Sequence, residues 1–254
     1  MHILLVNDDG IHAPGLRAMC DAVLDAGHRV SVCAPDRERS AAGHSALIGR
    51  PLHAWPVDYA PGVRAWKADG TPADCARLGL YLTRDYPVDL VISGINQGMN
   101  MGGACVYSGT VGAALEAAMC GTQALAVSLC VENWDKQHDY GPAARLGLRV
   151  AEWAAKHPLP VGAIYSLNVP DIPYEAMRGL VPAKLAPVYL ATPEYERGTD
   201  ETGECFHYRS GTGQPLDDPD YDVLRVREGY AVLTKLTWDF RLNADDAELG
   251  EIGL

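Results

Sequence analysis

The sequence has no uninterrupted apolar run that approaches the ~20 residues needed to cross a membrane. The first apolar stretch, LLV, is far shorter than the hydrophobic core of a signal peptide, and no basic segment precedes it. These absences argue against a membrane partner and against secretion. We therefore expect a cytoplasmic protein.

Positive charge is also scarce. The 21 Lys and Arg residues face 33 Asp and Glu residues, which gives a net charge of −12. Without a basic surface to offset phosphate repulsion, binding to a nucleic-acid duplex is not expected. An acidic protein that handles an anionic substrate needs a local positive centre, and a divalent cation supplies one.

The seven cysteines are odd in number and never form a CxxC pair. Several lie in apolar surroundings, such as Cys33 in VSVCAP and Cys130 in AVSLC. Scattered, apolar cysteines are typical of buried thiols in a reducing compartment. This spacing argues against a zinc site and against a disulfide framework.

Two phosphate-binding signatures are missing as well. The chain contains no GxxxxGK[ST] segment and no GxGxxG that follows a strand. Neither a P-loop nucleoside triphosphatase nor a dinucleotide-binding fold is therefore supported. No internal repeat and no low-complexity tract is visible either.

What the sequence does contain is an alternation of short apolar runs with helix-period segments. We predict strands at 2–6, 28–35, 88–94, 123–129 and 163–170, and helices at 14–26, 71–83, 109–121 and 141–156, with a long loop between 36 and 70. The 88–94 run, VDLVISG, lacks polar alternation, as expected of a strand buried on both faces. The rhythm predicts an α/β fold of three layers, with a mostly parallel sheet between helices.

This alternation ends near residue 171, so we divide the chain into a catalytic core, 1–171, and a C-terminal region, 172–254, that packs on it. Residues 190–220 are rich in Pro, Gly, Asp and Thr and predict a long excursion. The segment 222–240 predicts a β-hairpin that turns at Glu228 and Gly229. The region is either a second lobe or an arm that reaches another subunit.

Two adjacent carboxylates, Asp8 and Asp9, stand where the first predicted strand ends. Ligands of open α/β sheets bind at the carboxyl ends of the strands. Two neighbouring acids repel each other there, and burying them without a partner is costly. A hard cation such as Mg²⁺ or Mn²⁺ removes both difficulties, because it prefers oxygen ligands. The sequence therefore predicts a metal site at Asp8 and Asp9.

Other strand ends carry small oxygen-bearing residues. Ser40 and His44 follow the second strand in DRERSAAGHS, and Asn96 and Asn100 follow the third in INQGMNMGG. Hydroxyl and amide oxygens complete the shell of a hard cation without adding charge. Turn chemistry explains each residue singly, but three strand ends together favour ligands.

The segment VYSGTVGAALEA predicts an anion site, because Ser108, Gly109 and Thr110 immediately precede a helix. Backbone N–H groups at a helix N-terminus are free to bind phosphate. A plain N-cap by Ser108 or Thr110 is the alternative. The remaining phosphate-binding candidates are Asn7, Gly10 and Asn100.

Several segments together resemble the SurE family of nucleotide phosphatases, the stationary-phase survival proteins. They are NDDGIHAPGL, APDRERS, GTPADC, DLVISGINQGMNMG, VYSGTVGAALEA, ALAVS and NVP, in this order across residues 1–170, with a weaker match in EGYAVLTKL. The resemblance implies a metal-dependent phosphomonoesterase for nucleoside 5′- and 3′-monophosphates, often with activity on short-chain polyphosphate. It implies one Mg²⁺ or Mn²⁺ per subunit, held by the residues that match the family's ligands: Asp8, Asp9, Ser40 and Asn96.

The resemblance also implies a Rossmann-like core with a C-terminal hairpin that exchanges between subunits of a homodimer or homotetramer. The sequence departs from the family pattern in two places. Ala41 stands where glycine usually follows the loop serine, and Gly103, Ala104 and Cys105 occupy a segment that usually carries acids. No ligand is lost, but a supporting contact in either loop is affected.

The implied mechanism leaves two nucleophiles open, a water molecule at the metal or Asp9 itself. Asp8 or His12 is the candidate to assist proton transfer in either version. A catalytic role is less favoured for both His12 and His44, since a lone loop histidine more often makes a structural hydrogen bond. Trp134, in the loop after the 123–129 strand, is a candidate contact for the nucleotide base.

Two other functions compete with this interpretation. A response-regulator receiver also places paired acids after its first strand, but Asp58 lies in a poorly strand-like context and no Lys occurs between 68 and 135. A catalytically weak sensor that binds metal and nucleotide is the stronger alternative, with residues 103–105 marking lost chemistry.

Overall fold

The computed structural model describes residues 1–134, 136–187, 194–209 and 216–238. Its helices are α1 (Pro14–Asp25), α2 (Pro72–Leu82), α3 (Gly109–Met119), α4 (Gly141–Ala154) and α5 (Asp222–Arg227), with short 3₁₀ helices at Gly102–Tyr107 and Tyr174–Ala176. Its strands are β1 (His2–Val6), β2 (Arg29–Pro35), β3 (Ala54–Pro56), β4 (Arg64–Ala68), β5 (Leu90–Gln97), β6 (Ala124–Cys130), β7 (Ala163–Pro170), β8 (Leu180–Pro182), β9 (Glu194–Asp200), β10 (Gly203–Arg209) and β11 (Ala231–Thr237). The predicted strands and helices of residues 1–170 are all present.

Nine of these strands form one sheet in the order β3-β4-β2-β1-β5-β6-β7-β11-β8. Strand β1 pairs in parallel with β2 on one side and with β5 on the other. Strands β2 to β4 therefore lie on one side of β1, and β5 and the later strands lie on its other side. The strand order reverses between β1 and β5. In open α/β sheets this switch point is where ligands bind. The α/β prediction, with a mostly parallel sheet, is confirmed.

Successive residues of the central strands pack against opposite helical layers, because side chains alternate across a strand. Ile3 and Leu5 face the layer formed by α1 and α4, which we call the α1/α4 layer. Leu4 and Val6 face the layer formed by α2 and α3, the α2/α3 layer. Both layers are buried against the sheet, which explains why the strands read as continuous apolar runs.

Local sequence sets where the helices of the α2/α3 layer begin. Thr71 caps α2 by accepting from the Asp74 amide at 3.1 Å, and the Asp74 carboxylate accepts from the Thr71 amide at 3.0 Å. Pro72 fills the first position of the helix, where no amide hydrogen is needed. This is the start that the sequence predicts.

The predicted loop between 36 and 70 contains two short strands that the prediction missed. Strand β4 extends the sheet by pairing in parallel with β2, and β3 pairs antiparallel with β4. Charged residues at Arg64 and Lys67 interrupt the apolar pattern, because these strands lie at the edge of the sheet. Edge strands need not be apolar on both faces.

The hairpin predicted over 222–240 is wrong. Its first half is the helix α5, while its second half is strand β11, which pairs antiparallel with β7 and in parallel with β8. Val223 and Val226 pack three residues apart into a small apolar cluster with Met101, a helical spacing that we took for strand alternation. The Asp222 carboxylate fixes the start of the helix by accepting from the amides of Gly102 and Ala186.

A hairpin does occur, but earlier in the chain. Strands β9 and β10 pair antiparallel within the stretch predicted as an excursion, and their residues are largely exposed. Residues 239 and 240 of the predicted hairpin lie outside the described residues. Within the described ranges, no helix combines the length and the apolarity that a membrane crossing demands.

Candidate metal and phosphate site

A cleft of about 500 Å³ opens at the carboxyl edge of the sheet, beside the switch point between β1 and β5. Six of the singled-out residues line it: Asp8, Ser40, Asn96, Asn100, Ser108 and Trp134. They come from four regions of the chain, which lie at or after the carboxyl ends of β1, β2, β5 and β6. The expectation that strand-end residues converge is confirmed for Asp8, Ser40, Asn96 and Asn100, but His44 is not among the residues that line the cleft.

The β1 loop is held in shape by Asn7 and Gly10. The Asn7 amide donates to the Gly10 carbonyl at 2.9 Å and accepts from the Gly10 amide at 3.2 Å. Gly10 has φ +100°, and a Cβ there would lie 3.2 Å from the Arg37 carbonyl carbon. Only glycine combines this backbone conformation with so close an approach. Both residues thus support the turn that presents Asp8 and Asp9.

Asp8 is buried beneath the N-terminus of α3. One carboxylate oxygen accepts from the Thr110 hydroxyl at 2.5 Å, and a Cβ on Gly109 would lie 3.0 Å from the other. Burial raises the pKa of Asp8, although the hydroxyl and amide of Thr110 oppose that rise. The N-terminus of α3 therefore stabilises the ionised form of Asp8, which is buried away from water.

Asp9 lies at the neighbouring position, where one carboxylate oxygen accepts from the Gln97 amide at 3.3 Å. Burial raises the pKa of Asp9 to about 7, with further contributions from the negative charges of Asp8 and Glu38. The protein's own groups therefore do not fully compensate the negative charges of Asp8 and Asp9. A bound cation would compensate them.

Ser40 and Asn96 contribute neutral oxygens from opposite sides of β1. The Ser40 hydroxyl donates to Glu38 at 2.6 Å, and its loop is tied to the acids because the Arg39 amide donates to the Asp8 carbonyl at 2.7 Å. The Asn96 amide nitrogen donates to the Gly98 carbonyl at 3.0 Å, which leaves the amide oxygen as the atom that can bind a cation.

The donor set fits Mg²⁺ or Mn²⁺. It consists of two carboxylates, one hydroxyl and one amide oxygen, all of them hard ligands. Among the residues that the structure describes, no three His, Cys, Asp or Glu side chains are grouped so as to hold a metal. A cation here would therefore depend on the two acids together with neutral oxygens.

The residues predicted to bind phosphate make different contacts in the structure. The Ser108 side chain caps α3 by accepting from the Val111 amide at 3.0 Å, so the N-cap interpretation of this residue is correct. The first-turn amides of α3 belong to Gly109 and Thr110, next to Asp8. The Asn100 side chain donates to Ser128 at 2.9 Å.

Two residues that support this loop were missed by sequence reasoning. The Asn168 side chain accepts from the Asn100 amide at 2.9 Å and donates to its carbonyl at 3.0 Å, and Ser128 receives the Asn100 side chain. Both are fully buried polar residues in otherwise apolar strands. A polar residue in the middle of a buried strand is the signal that points to such a role.

The departures from the family pattern have structural consequences. Ala41 has φ +56°, a conformation that glycine adopts without the cost that a Cβ imposes. The Cys105 thiol donates to the Asn100 carbonyl at 3.2 Å, so this departure adds a contact to the loop.

Two histidines lie near the motifs, His12 and His44, and neither is among the described residues that line the cleft. His12 is exposed and makes no hydrogen bond to any described residue. His44 binds Glu116 on α3 at 2.8 Å, which is a structural interaction. Trp134 is 64% exposed and lies against Gly98 at the edge of the cleft, so its ring is available to a ligand.

Comparison with known proteins agrees with this architecture. The model of the family described as Survival protein SurE matches residues 3–191. A 5′-nucleotidase SurE of Synechococcus sp. (strain JA-3-3Ab) is 40% identical over 100% of this chain and 98% of its own, and that of Thermosynechococcus vestitus is 35% identical over 99% and 96%. The crystal structure of a SurE protein from Aquifex aeolicus superposes with a TM-score of 0.84 at 28% identity, over 99% of both chains. On these grounds the chain belongs to the SurE family.

Proposed function

We propose that this chain is a divalent-cation-dependent phosphomonoesterase that hydrolyses nucleoside 5′-monophosphates to nucleoside and phosphate. We extend the proposal to nucleoside 3′-monophosphates and short-chain polyphosphate. The observation that carries it is the pair of adjacent carboxylates, buried Asp8 and half-buried Asp9, beside a helix N-terminus at the switch point of the sheet. The 5′-nucleotidase names of the relatives support it.

One Mg²⁺ or Mn²⁺ per subunit would be held by Asp8, Asp9, Ser40 and Asn96. When bound, it supplies the positive charge that offsets the phosphate and keeps both carboxylates ionised. Hydroxyl and amide ligands add no charge, so Asp8 and Asp9 are the only charged members of this ligand set, and Glu38 adds a further negative charge nearby.

The chain's own groups would orient the phosphate. The first-turn amides of α3, at Gly109 and Thr110, offer hydrogen-bond donors and the positive end of the helix dipole. The Ser108 hydroxyl uses its oxygen as the N-cap and keeps its hydrogen for a phosphate oxygen. The Gln97 amide holds one oxygen of Asp9, which leaves the other to act.

Two roles fit that second oxygen of Asp9. It attacks phosphorus directly, or it takes a proton from an attacking water molecule. Incorporation of ¹⁸O from solvent without a phosphorylated protein assigns the attack to water. A burst of phosphorylated protein assigns it to Asp9.

The exposed ring of Trp134 at the edge of the cleft supports a role in binding the base. Stacking on an aromatic ring tolerates any base, because every base has a π-face. We therefore propose broad base tolerance at this position.

We further propose a homodimer or homotetramer, located in the cytoplasm, in which the C-terminal β-hairpin, formed by β9 and β10, exchanges between subunits. The exposed aromatic side chains of the β9–β10 hairpin, Tyr195, Phe206 and Tyr208, support an interface there. All seven cysteines are unpaired, as suits a reducing compartment.

The deciding experiment is phosphate release from a panel of nucleoside monophosphates, with Mn²⁺, Mg²⁺ or EDTA, for wild type and Asp9→Asn. We expect release only with a metal, and a loss of about a hundredfold or more in the variant, the scale of removing one group from a preorganised charged site. Asp25→Asn, an exposed acid at the end of α1, is the matched control and should keep wild-type activity.

Thermal melting gives a second readout. Without metal, Asp9→Asn should melt higher than wild type, because it removes one of two adjacent, repelling charges at least partly shielded from water. Added Mn²⁺ should raise the melting temperature of wild type more than that of the variant. No release from any nucleotide, with wild type folded and stabilised by Mn²⁺, would contradict the enzyme and favour the sensor.

A further inference from the structure

A second cavity of about 530 Å³ adjoins the catalytic cleft. The two share Met99 and Glu132 in their walls, so they lie side by side at the carboxyl edge of the sheet. Its far side is formed by Pro170–Ile172 after β7 and by α5. None of the residues assigned to the metal or the phosphate lies in this second cavity.

One wall of the cavity contains a buried histidine with an incomplete set of partners. His138 binds the Asp171 carboxylate through Nδ1 at 2.7 Å, and its side chain is only 2% exposed. Its other ring nitrogen, Nε2, is buried and has no hydrogen-bond partner among the described residues. An unpaired buried polar atom is costly, and a ligand that reaches it removes that cost.

The same cavity is lined by two cations, Lys136 and Arg227. Within the described part of the chain neither pairs with a carboxylate, although the protein carries a net charge of −12 and arginines such as Arg64 and Arg225 do pair. Asp171 is already engaged by His138. Lys136 and Arg227 are therefore available to an anion, in a cavity that is also lined by the carboxylates of Glu132 and Asp171.

We infer that this cavity binds a second phosphate group of the substrate, so that the preferred nucleotide carries phosphates at both the 5′ and the 3′ position. One phosphate lies at Asp8 and Asp9, and the other lies between Lys136 and Arg227 and reaches toward His138. The nucleoside spans the shared wall, where the Glu132 carboxylate accepts from the remaining sugar hydroxyl. The inference rests on the proposed function, because the reacting phosphate occupies the catalytic cleft.

The test compares adenosine 3′,5′-bisphosphate with adenosine 5′-monophosphate, with Mn²⁺ present, by the kcat/KM for release of the 5′-phosphate. Wild type should favour the bisphosphate by about a hundredfold, and each of Lys136→Gln and Arg227→Gln should remove about tenfold of that, as for one charged hydrogen bond. The double variant should hydrolyse the monophosphate within about twofold of wild type, since its cations do not touch the reacting phosphate. Lys156→Gln combined with Arg149→Gln, two exposed cations on the α4 side, is the control for net charge and should preserve the preference.

Equal kcat/KM for the two nucleotides in wild type, or an equal loss for both in the double variant, would overturn the inference while leaving the nucleotidase intact. A wild type that releases no phosphate at all would overturn the proposed function instead. In that case calorimetric binding of adenosine 3′,5′-bisphosphate still decides: tighter binding by wild type than by the double variant supports the second phosphate site, and equal binding rejects it.

Discussion

The two helical layers that cover the sheet are built from side chains of different size. The α1/α4 layer buries large residues, among them Leu16, Met19 and Leu146. The α2/α3 layer buries mainly small ones, such as Ala76 and Ala113. Both layers cover the same strands, so the difference in side-chain size reflects a further role that each layer has.

Small residues let α3 lie close to the loops that carry the site. A Cβ on Gly109 would lie 2.8 Å from the Cβ of Asp8, and one on Gly112 would lie 2.6 Å from the Gly43 carbonyl oxygen. Large side chains bury more apolar area and contribute more free energy of folding. Site geometry is therefore concentrated in the α2/α3 layer, and stability in the α1/α4 layer.

The largest effect is expected from Gly109→Ala. The new methyl group would lie 2.8 Å from the Cβ of Asp8, a distance that real Cβ atoms essentially never show, and 3.0 Å from Pro72. Because Asp8 is short and buried, it must shift, and kcat should fall by about a hundredfold, as when a catalytic group is misplaced by about 1 Å. Measured kcat with saturating Mn²⁺ checks this.

Gly147→Ala is its control in the other layer. There the nearest atom, at 2.5 Å, is the terminal methyl of Met19, which a small rotation moves aside. Activity should stay near wild type. If both substitutions reduce kcat equally, tight packing at α3 has no special relation to the site.

The next effect is on stability. Leu16→Ala removes a fully buried side chain from the α1/α4 layer and should lower the free energy of unfolding by about 2–4 kcal/mol. Its kcat, measured well below the melting temperature, should stay within about threefold of wild type, because the cavity forms on the face away from α3. A large drop in kcat from this variant would show that the layers are not functionally separate.

The same contrast explains how much could be predicted from the sequence. Burial on both faces gives β1, β5 and β6 unbroken apolar runs, and helical spacing marks α1 and α4, so the core is predicted well. At α5, Val223 and Val226 lie in so short a segment that helical and strand periods are hard to separate. Its start is fixed instead by Asp222, through contacts with Gly102 and Ala186, which no local pattern contains.

The site shows a similar division. Asp8 and Asp9 could be predicted because two adjacent acids at a strand end repel each other unless a cation is bound. Ser40 and Asn96 were predicted as further ligands from the order of the motifs. The contact between Thr110 and Asp8 joins residues 102 positions apart, so it depends on the packing of α3 and not on local sequence. The support of the Asn100 loop by Asn168 depends in the same way on β7 lying next to β6.

The smallest effect tests whether the α2/α3 layer also positions the Ser40 loop. Glu116, buried on α3, accepts from Arg77 and from His44, which lies in that loop. Glu116→Gln should lower the free energy of unfolding by about 1–3 kcal/mol, since a buried ion pair is broken beside partly exposed partners.

The variant should also raise the Mn²⁺ concentration for half-maximal activity by about threefold to tenfold, the scale of a lost supporting contact at a metal site. The α1/α4 layer offers a matched pair, His28 with Glu152 at 3.0 Å, whose carboxylate is 47% exposed. Glu152→Gln should change stability by less than about 0.5 kcal/mol and leave the metal requirement unchanged, because exposed pairs are screened by water. An unchanged metal requirement in Glu116→Gln would confine this ion pair to stability, and α3 would then shape the site only through its N-terminus.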